Sequence, residues 1–171
     1  MSNSSFTFER VKEHLLFQDL TEPEWQELIT FLVPRRYRPA QVIFQEGDAT
    51  NDLYVILSGV VELRRQFVRH PGDYLLATLH AGRVFGEASL LTHRRRSTTA
   101  IAISEVETAL LPSRNLVLMS PLLQIKLHRA WGSMISERLY GLDSMFTDLL
   151  EQRGAENAAA TMATLHQRYQ S

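Results

Sequence analysis

Residues 84–103 read VFGEASLLTHRRRSTTAIAI. Gly86 and Glu87 open a segment with helical character, three arginines follow, and the stretch ends in β-branched residues. Glycine lets the backbone come close to a bound group, and the amides that open a helix attract anions. An arginine nine residues after Glu87 can hold the same anion through two parallel hydrogen bonds, while the carboxylate accepts a hydrogen bond from a sugar hydroxyl. The stretch therefore predicts a ligand that carries both a phosphate and a ribose.

The same stretch resembles the phosphate-binding cassette of the cyclic nucleotide-binding domain family. The family pattern begins Phe-Gly-Glu, continues with Leu-Ala-Leu and reaches an arginine that is followed by Ala, Ser or Thr. This sequence follows the pattern without a gap, through Phe85-Gly86-Glu87, Ala88-Ser89-Leu90 and Arg96-Ser97. The spacing, and not the charge, selects Arg96 among the three arginines.

The resemblance implies a role for each polar group of the cassette. Glu87 would bind the ribose 2′-hydroxyl, and Arg96 with Ser97 would bind the cyclic phosphate. The backbone amides of Gly86 and Ala88 would lie beside them. Ala88 stands where the family has a larger aliphatic residue, which removes one apolar contact but no polar ligand group.

The base pocket is less constrained by the sequence. The strand that precedes the cassette offers Leu76 and Thr78, and the C-terminal helix offers four further candidates, Arg138, Leu142, Asp143 and Ser144. The threonine–serine pair that contacts adenine in catabolite activator proteins has no clear counterpart here. The choice between cyclic AMP and cyclic GMP therefore stays open, and a cyclic dinucleotide remains an alternative.

Composition and motif content exclude several classes of function. The 171 residues are 44% hydrophobic with a formal net charge of −1, so no broad basic face for nucleic acid is expected. Cysteine is absent, which excludes disulfides and thiolate chemistry. Neither an export signal nor an apolar run long enough for a membrane span is present, so a cytoplasmic protein is expected. The scattered histidines and the lack of catalytic motifs predict no enzymatic activity, no catalytic residues, no metal and no cofactor.

The periodicity of the chain changes twice. Residues 6–33 have helical spacing with a capping box at residues 21–24. From about residue 40 to 111, turn signals separate the β-rich runs QVIF, DLYVIL, VVELRRQFV, DYLLATL, STTAIAI and VETALL, as in an all-β sandwich or barrel. By the family resemblance the expected fold is α+β, a β jelly roll (double-stranded β-helix) flanked by N-terminal helices and a long C-terminal helix.

The C-terminal helix is predicted over about residues 121–152. It carries an apolar seam whose members recur at helical and heptad spacing: Trp131, Ile135, Leu142, Met145 and Leu149. Such a seam favours a homodimer through this helix, with Arg138 as a polar residue that sets the register.

One domain is expected over residues 1–153, followed by a short tail at 154–171 that either adds a helical turn or stays disordered. The tail is too short for a helix-turn-helix, so the resemblance is to the sensory domain of catabolite activator proteins without their DNA-binding domain, and no DNA binding is expected.

The leading hypothesis is a stand-alone sensor that binds cyclic AMP or cyclic GMP without hydrolysing it. The base would lie against the roll and be capped by the C-terminal helix, which would rearrange and act on a downstream partner protein. The alternatives are a ligand-independent dimeric scaffold module that keeps the fold, or a cyclic dinucleotide receptor.

Overall fold

The computed structural model describes residues 9–12, 14–67, 70–153 and 161–162, in two compact units, Met1–Ala130 and Trp131–Ser171. The helices of the described residues are α1 (Glu9–Lys12), α2 (Glu22–Ile29), α3 (Glu87–Thr92) and α4 (Pro121–Arg153), with two 3-10 helices at Leu15–Phe17 and Ser113–Leu118. Helix α4 begins in the first unit and provides most of what is described of the second. Of the predicted tail, only residues 161 and 162 are described, and they are helical.

Eight strands form two four-stranded antiparallel sheets in the described part of the first unit. They are β1 (Val33–Tyr37), β2 (Val42–Phe44), β3 (Leu53–Ser58), β4 (Val60–Phe67), β5 (His70–His80), β6 (Val84–Phe85), β7 (Thr99–Ala102) and β8 (Val106–Leu111). The strand orders are β1-β8-β3-β6 and β2-β7-β4-β5. The predicted α+β jelly roll with a long C-terminal helix is thereby confirmed.

Two strands lie outside the predicted β-rich runs. Strand β1 begins before the predicted start at residue 40, in a segment whose proline and arginines do not resemble a strand. It forms one edge of its sheet and pairs only with β8, a position where a missing N–H donor at Pro34 is tolerated. Strand β6 has two residues and pairs with Tyr54 and Val55 of β3, which places Phe85 directly before the cassette glycine.

The core between the sheets is aromatic on the side of the cassette. The rings of Tyr54 and Phe85 stack with centroids 4.9 Å apart, and Phe44 lies 5.7 Å from Tyr54 and 5.8 Å from Phe85. Small residues complete the cluster, including Ala100 and Ala102 of β7. Because Phe85 is 1% exposed, the backbone that enters Gly86 is anchored by a fully buried side chain.

The N-terminal helix α2 is joined to the start of α4 within the first unit. The predicted capping box is present, since the backbone N–H of Thr21 donates to Glu24 at 2.7 Å. The Lys126 ammonium lies 2.7 Å from the same carboxylate, and Glu27 accepts hydrogen bonds from the backbone and hydroxyl of Ser120. The hydrogen bond from Lys126, together with those from Thr21, lowers the pKa of Glu24 to about 2.

Substitution Glu24→Gln is expected to flatten the acid limb of the stability profile. A carboxylate with a lowered pKa in the folded state stabilises the protein above its ordinary pKa of 4.5, and this contribution is lost as the pH falls towards 2. Glutamine keeps the capping geometry but cannot titrate. Melting temperature measured from pH 2 to 6 should fall less steeply with acid in the variant than in the wild type. Equal slopes of melting temperature against pH in the two proteins would contradict the lowered pKa of Glu24.

Candidate functional site

Gly86 joins β6 to α3 in a conformation that suits glycine. Its φ of 85° lies in the left-handed region, where a side chain is strained. A Cβ at this position would lie 2.6 Å from Nη1 of Arg96 and 2.7 Å from the carbonyl oxygen of Asp52. The sequence predicted that this glycine admits a close group, and the structure identifies one such group as the arginine from the other end of the same cassette.

The guanidinium of Arg96 is held inside the first unit. The residue is 2% exposed, and its side chain donates to the hydroxyl of Thr50 (Nε, 3.1 Å), the carbonyl of Gly86 (Nη1, 3.0 Å) and the carbonyl of Asp52 (Nη2, 2.8 Å). The backbone of Arg96 is also fixed, because its N–H donates to Asp48 and its carbonyl accepts from the N–H of Gly47. Loop 45–52 and the cassette therefore hold the arginine jointly.

The surroundings of Arg96 are both apolar and negative. Its Cζ lies 4.1 Å from the ring centroid of Phe44, a distance typical of a cation–π contact. Burial lowers the pKa of Arg96, and the nearby negative charges, among them Asp52, Asp48 and Glu87, act in the opposite direction. Since an arginine stays protonated in proteins, the pKa direction expresses the desolvation of a charge and not its loss.

Arg96 retains hydrogen-bonding capacity for a ligand. A guanidinium has five N–H donors, and three of them have acceptors among the described residues. One N–H on each terminal nitrogen is left over. Two such donors are what a bidentate contact to a phosphate requires.

The remaining cassette residues lie where the chain enters and leaves this arrangement. Glu87 is half-buried at the first position of α3, close enough to act electrostatically on Arg96. Ala88 and Ser97 are exposed. The structure thus brings Gly86, Glu87 and Arg96 together and leaves the two small residues open to solvent beside them.

The base-pocket candidates lie in both units. Leu76 and Thr78 are exposed on β5, and Leu76 sits where the pairing of β4 with β5 shifts register. The other four candidates are exposed on the part of α4 that belongs to the second unit: Arg138, Leu142, Asp143 and Ser144. The first unit thus contains two of the six base-pocket candidates, and the second unit contains the other four.

Sequence reasoning missed the partners of Arg96. Phe44 ends β2, while Thr50 and the carbonyl of Asp52 belong to the loop before β3. The glycine and acid of the turn at 46–48 were recognised as a turn signal, but neither charge nor periodicity indicated which side chain that loop would meet.

A polar hollow of about 520 Å³ lies elsewhere on the roll. It is lined by Gln45, Glu46, Gln66, Asp73 and Thr99, so this lining includes none of the predicted ligand contacts of the cassette, which are Gly86, Glu87, Ala88, Arg96 and Ser97. This lining contains no cationic side chain, and its two carboxylates, of Glu46 and Asp73, are ion-paired with Arg65 and Arg64. The candidate anion site is therefore the guanidinium of Arg96 and not this hollow.

The described residues contain no cluster of three or more metal-ligating side chains. None of the helices in the described ranges is both long enough and apolar enough to span a bilayer.

Comparison with known proteins agrees with the resemblance to cyclic nucleotide-binding domains. Residues 34–118 match the family model described as "Cyclic nucleotide-binding domain". The chain is 31% identical over 147 residues to the Cyclic AMP receptor protein of Thermus thermophilus, covering 85% of this chain and 66% of that protein. It is 30% identical over 92 residues to a cAMP-dependent protein kinase regulatory subunit of Dictyostelium discoideum, covering 52% of this chain and 28% of that protein.

The fold has close counterparts among solved structures. A cyclic nucleotide-binding domain from Methylobacillus flagellatus superposes with a TM-score of 0.75 at 22% identity, covering 82% of this chain and 83% of that chain. In the sequence comparisons, the chain spans just under two thirds of the Thermus receptor and less than a third of the Dictyostelium subunit. With the cassette geometry, the family match and the fold in agreement, this chain belongs to the cyclic nucleotide-binding domain family.

Proposed function

We propose that this chain is a sensor that binds cyclic AMP or cyclic GMP through its cassette and does not hydrolyse it. One observation carries the proposal: Arg96 is buried and fixed beside Gly86 and Glu87, and the described residues provide acceptors for only three of its five N–H groups, which leaves one on each terminal nitrogen. The cyclic phosphate takes these two donors, and Glu87 accepts the ribose 2′-hydroxyl. Ser97 and the amides of Gly86 and Ala88 complete the phosphate contacts.

The energetics of such a site favour tight binding of an anion. The guanidinium is already desolvated and oriented, so binding does not have to order a long flexible side chain. Hydrogen bonds to charged groups contribute about 1.5 to 3 kcal/mol each, and Arg96 can supply two of them once neighbouring atoms move aside, because the residue is 2% exposed without a ligand. The names of the Thermus receptor and the Dictyostelium subunit support cyclic AMP as the first nucleotide to test.

Titration calorimetry of the full chain with cyclic AMP, cyclic GMP and a cyclic dinucleotide tests the proposal. We expect saturable heat with at least one cyclic mononucleotide at one site per chain, and weaker heat with linear 5′-AMP as the matched control. If only the cyclic dinucleotide gives heat, the ligand is a cyclic dinucleotide and not a cyclic mononucleotide. No heat with any of the four nucleotides would overturn the sensor function.

The proposed output of the sensor is helix α4, which would rearrange on binding and act on a partner protein. In the second unit, α4 exposes most of the predicted seam, Ile135, Leu142, Met145 and Leu149. An exposed apolar row of this length favours burial against a second copy of the same helix, as in a short coiled coil. A homodimer through α4 is therefore part of the proposal.

Substitution Leu149→Glu is expected to raise the dissociation constant of the homodimer by roughly 100-fold or more. Each buried leucine contributes about 1.5 to 3 kcal/mol, and a two-fold symmetric dimer loses this contribution from both copies. Tyr140→Glu is the matched control, since Tyr140 is exposed on the opposite side of α4 from the seam. Sedimentation equilibrium should separate the two variants, and equal dissociation constants would exclude this seam as the interface.

A second candidate function is a scaffold that keeps the fold and no longer responds to a nucleotide. The observation that favours it is that Arg96 already has three protein acceptors, which is enough for a purely structural role. An intact homodimer that gives no calorimetric heat with the cyclic nucleotides would support the scaffold.

A further inference from the structure

Two side chains outside the cassette restrict the guanidinium of Arg96 in complementary ways. Phe44 is 6% exposed at the end of β2, and its ring faces Cζ of Arg96 at 4.1 Å. The ring is itself fixed, because Tyr54 and Phe85 pack around it. A flat cation held against a flat ring has little freedom to tilt. Phe44 therefore sets the plane of the guanidinium.

Thr50 restricts the remaining freedom of the guanidinium, which is its rotation within that plane. Its hydroxyl accepts the hydrogen bond of Nε at 3.1 Å, although the residue as a whole is exposed in the loop between β2 and β3. Once the plane of the guanidinium is set, the direction of one N–H fixes its rotation within that plane. The directions of the two uncommitted N–H groups follow, since the five donors form a rigid fork.

We propose that Phe44 and Thr50 are the positioning residues of the phosphate site: they hold Arg96 so that its two uncommitted N–H groups meet the oxygens of the ligand's phosphate. This inference rests on the proposed function and adds two residues that lie far from the cassette in the sequence. The other two hydrogen bonds of the guanidinium go to the backbone carbonyls of Gly86 and Asp52, which side-chain substitution does not remove, and the ring of Tyr54 lies farther away than that of Phe44, at 5.7 Å from Cζ. Phe44 and Thr50 are thus the determinants that mutation can vary separately.

The test measures nucleotide affinity in variants that leave every cassette residue in place. Phe44→Leu removes the aromatic face, and Thr50→Val removes the acceptor at nearly constant shape. Each is expected to raise the dissociation constants for cyclic AMP and cyclic GMP by about fivefold or more, since both contacts are to a charged group. Thr50→Ser should restore wild-type affinity, which a role of Thr50 in packing alone would not predict.

The variant Val61→Ala is the control for an effect of core destabilisation alone on nucleotide affinity. Val61 is fully buried in the same core cluster as Phe44 but makes none of the contacts of Arg96 given above. This variant should lose thermal stability and keep wild-type affinity for the nucleotides. If Val61→Ala weakens binding as much as Phe44→Leu does, the positioning role of Phe44 is overturned.

Nuclear magnetic resonance of the nucleotide-free, ¹⁵N-labelled protein gives a second readout. The Nε–H signal of Arg96, assigned by its loss in Arg96→Lys, should exchange slowly with water and be shifted by the ring of Phe44. Thr50→Val should accelerate its exchange about tenfold or more, and Phe44→Leu should remove the shift. An Nε–H signal unchanged in both variants refutes the positioning of Arg96. If the wild type binds no nucleotide, the proposed function fails, while this signal still decides whether Phe44 and Thr50 orient the guanidinium.

Discussion

Replacement of Arg96 by lysine is expected to weaken the binding of cyclic AMP and cyclic GMP by at least roughly 100-fold. Lysine keeps the positive charge but loses the planar fork, so it cannot bond to Thr50, Gly86 and Asp52 and present two further donors to a phosphate. The loss of two hydrogen bonds to a charged group corresponds to about 3 to 6 kcal/mol.

Titration calorimetry measures this effect, and Arg94→Lys is the matched control. Arg94 is an exposed arginine in the same loop, and its substitution should leave affinity within about twofold of the wild type. If Arg96→Lys binds the nucleotides as tightly as the wild type does, positive charge alone suffices and binding does not require a fixed guanidinium.

Replacement of Gly86 by alanine is expected to lower the free energy of unfolding by about 3 to 5 kcal/mol. The left-handed conformation costs roughly 1 to 2 kcal/mol for a residue with a Cβ. The added carbon would also lie 2.6 Å from Nη1 of Arg96 and 2.7 Å from the carbonyl of Asp52, so the guanidinium and its hydrogen bonds must shift.

Gly82→Ala separates the two causes. Gly82 has a φ of 81°, and a Cβ there would meet nothing within 4 Å, so its alanine variant carries the conformational cost alone. Thermal unfolding should show a loss of about 6 to 20 °C for Gly86→Ala and about 2 to 8 °C for Gly82→Ala, with the larger loss for Gly86→Ala. Similar losses for both would mean that Arg96 is not held against Gly86 in solution.

The sequence predicted the cassette because its information is local. A glycine, an acid and an arginine at fixed spacing within one loop identify Gly86, Glu87 and Arg96 without knowledge of the rest of the chain. The β-rich runs likewise predicted six of the eight strands found in the described part of the roll, since alternation and turn residues act over short distances.

The features that the sequence did not predict depend on contacts between distant segments of the chain. Strand β1 was missed because an edge position tolerates the proline and arginines that argue against a strand. The partners of Arg96 were missed because Phe44 and Thr50 precede it by about fifty residues and carry no charge that would mark them as its neighbours. The sequence also could not show that the arginine would be buried, since a run of three arginines usually indicates a solvated loop.

The most direct test of the account compares Glu87→Gln with the wild type, using a cyclic nucleotide and its 2′-deoxy analogue. If Glu87 accepts the ribose 2′-hydroxyl while Arg96 holds the phosphate of the same molecule, Glu87→Gln should weaken the binding of the ribonucleotide by about tenfold and leave that of the 2′-deoxy analogue nearly unchanged. An equal loss of affinity for both ligands, or no loss for either, would contradict the account.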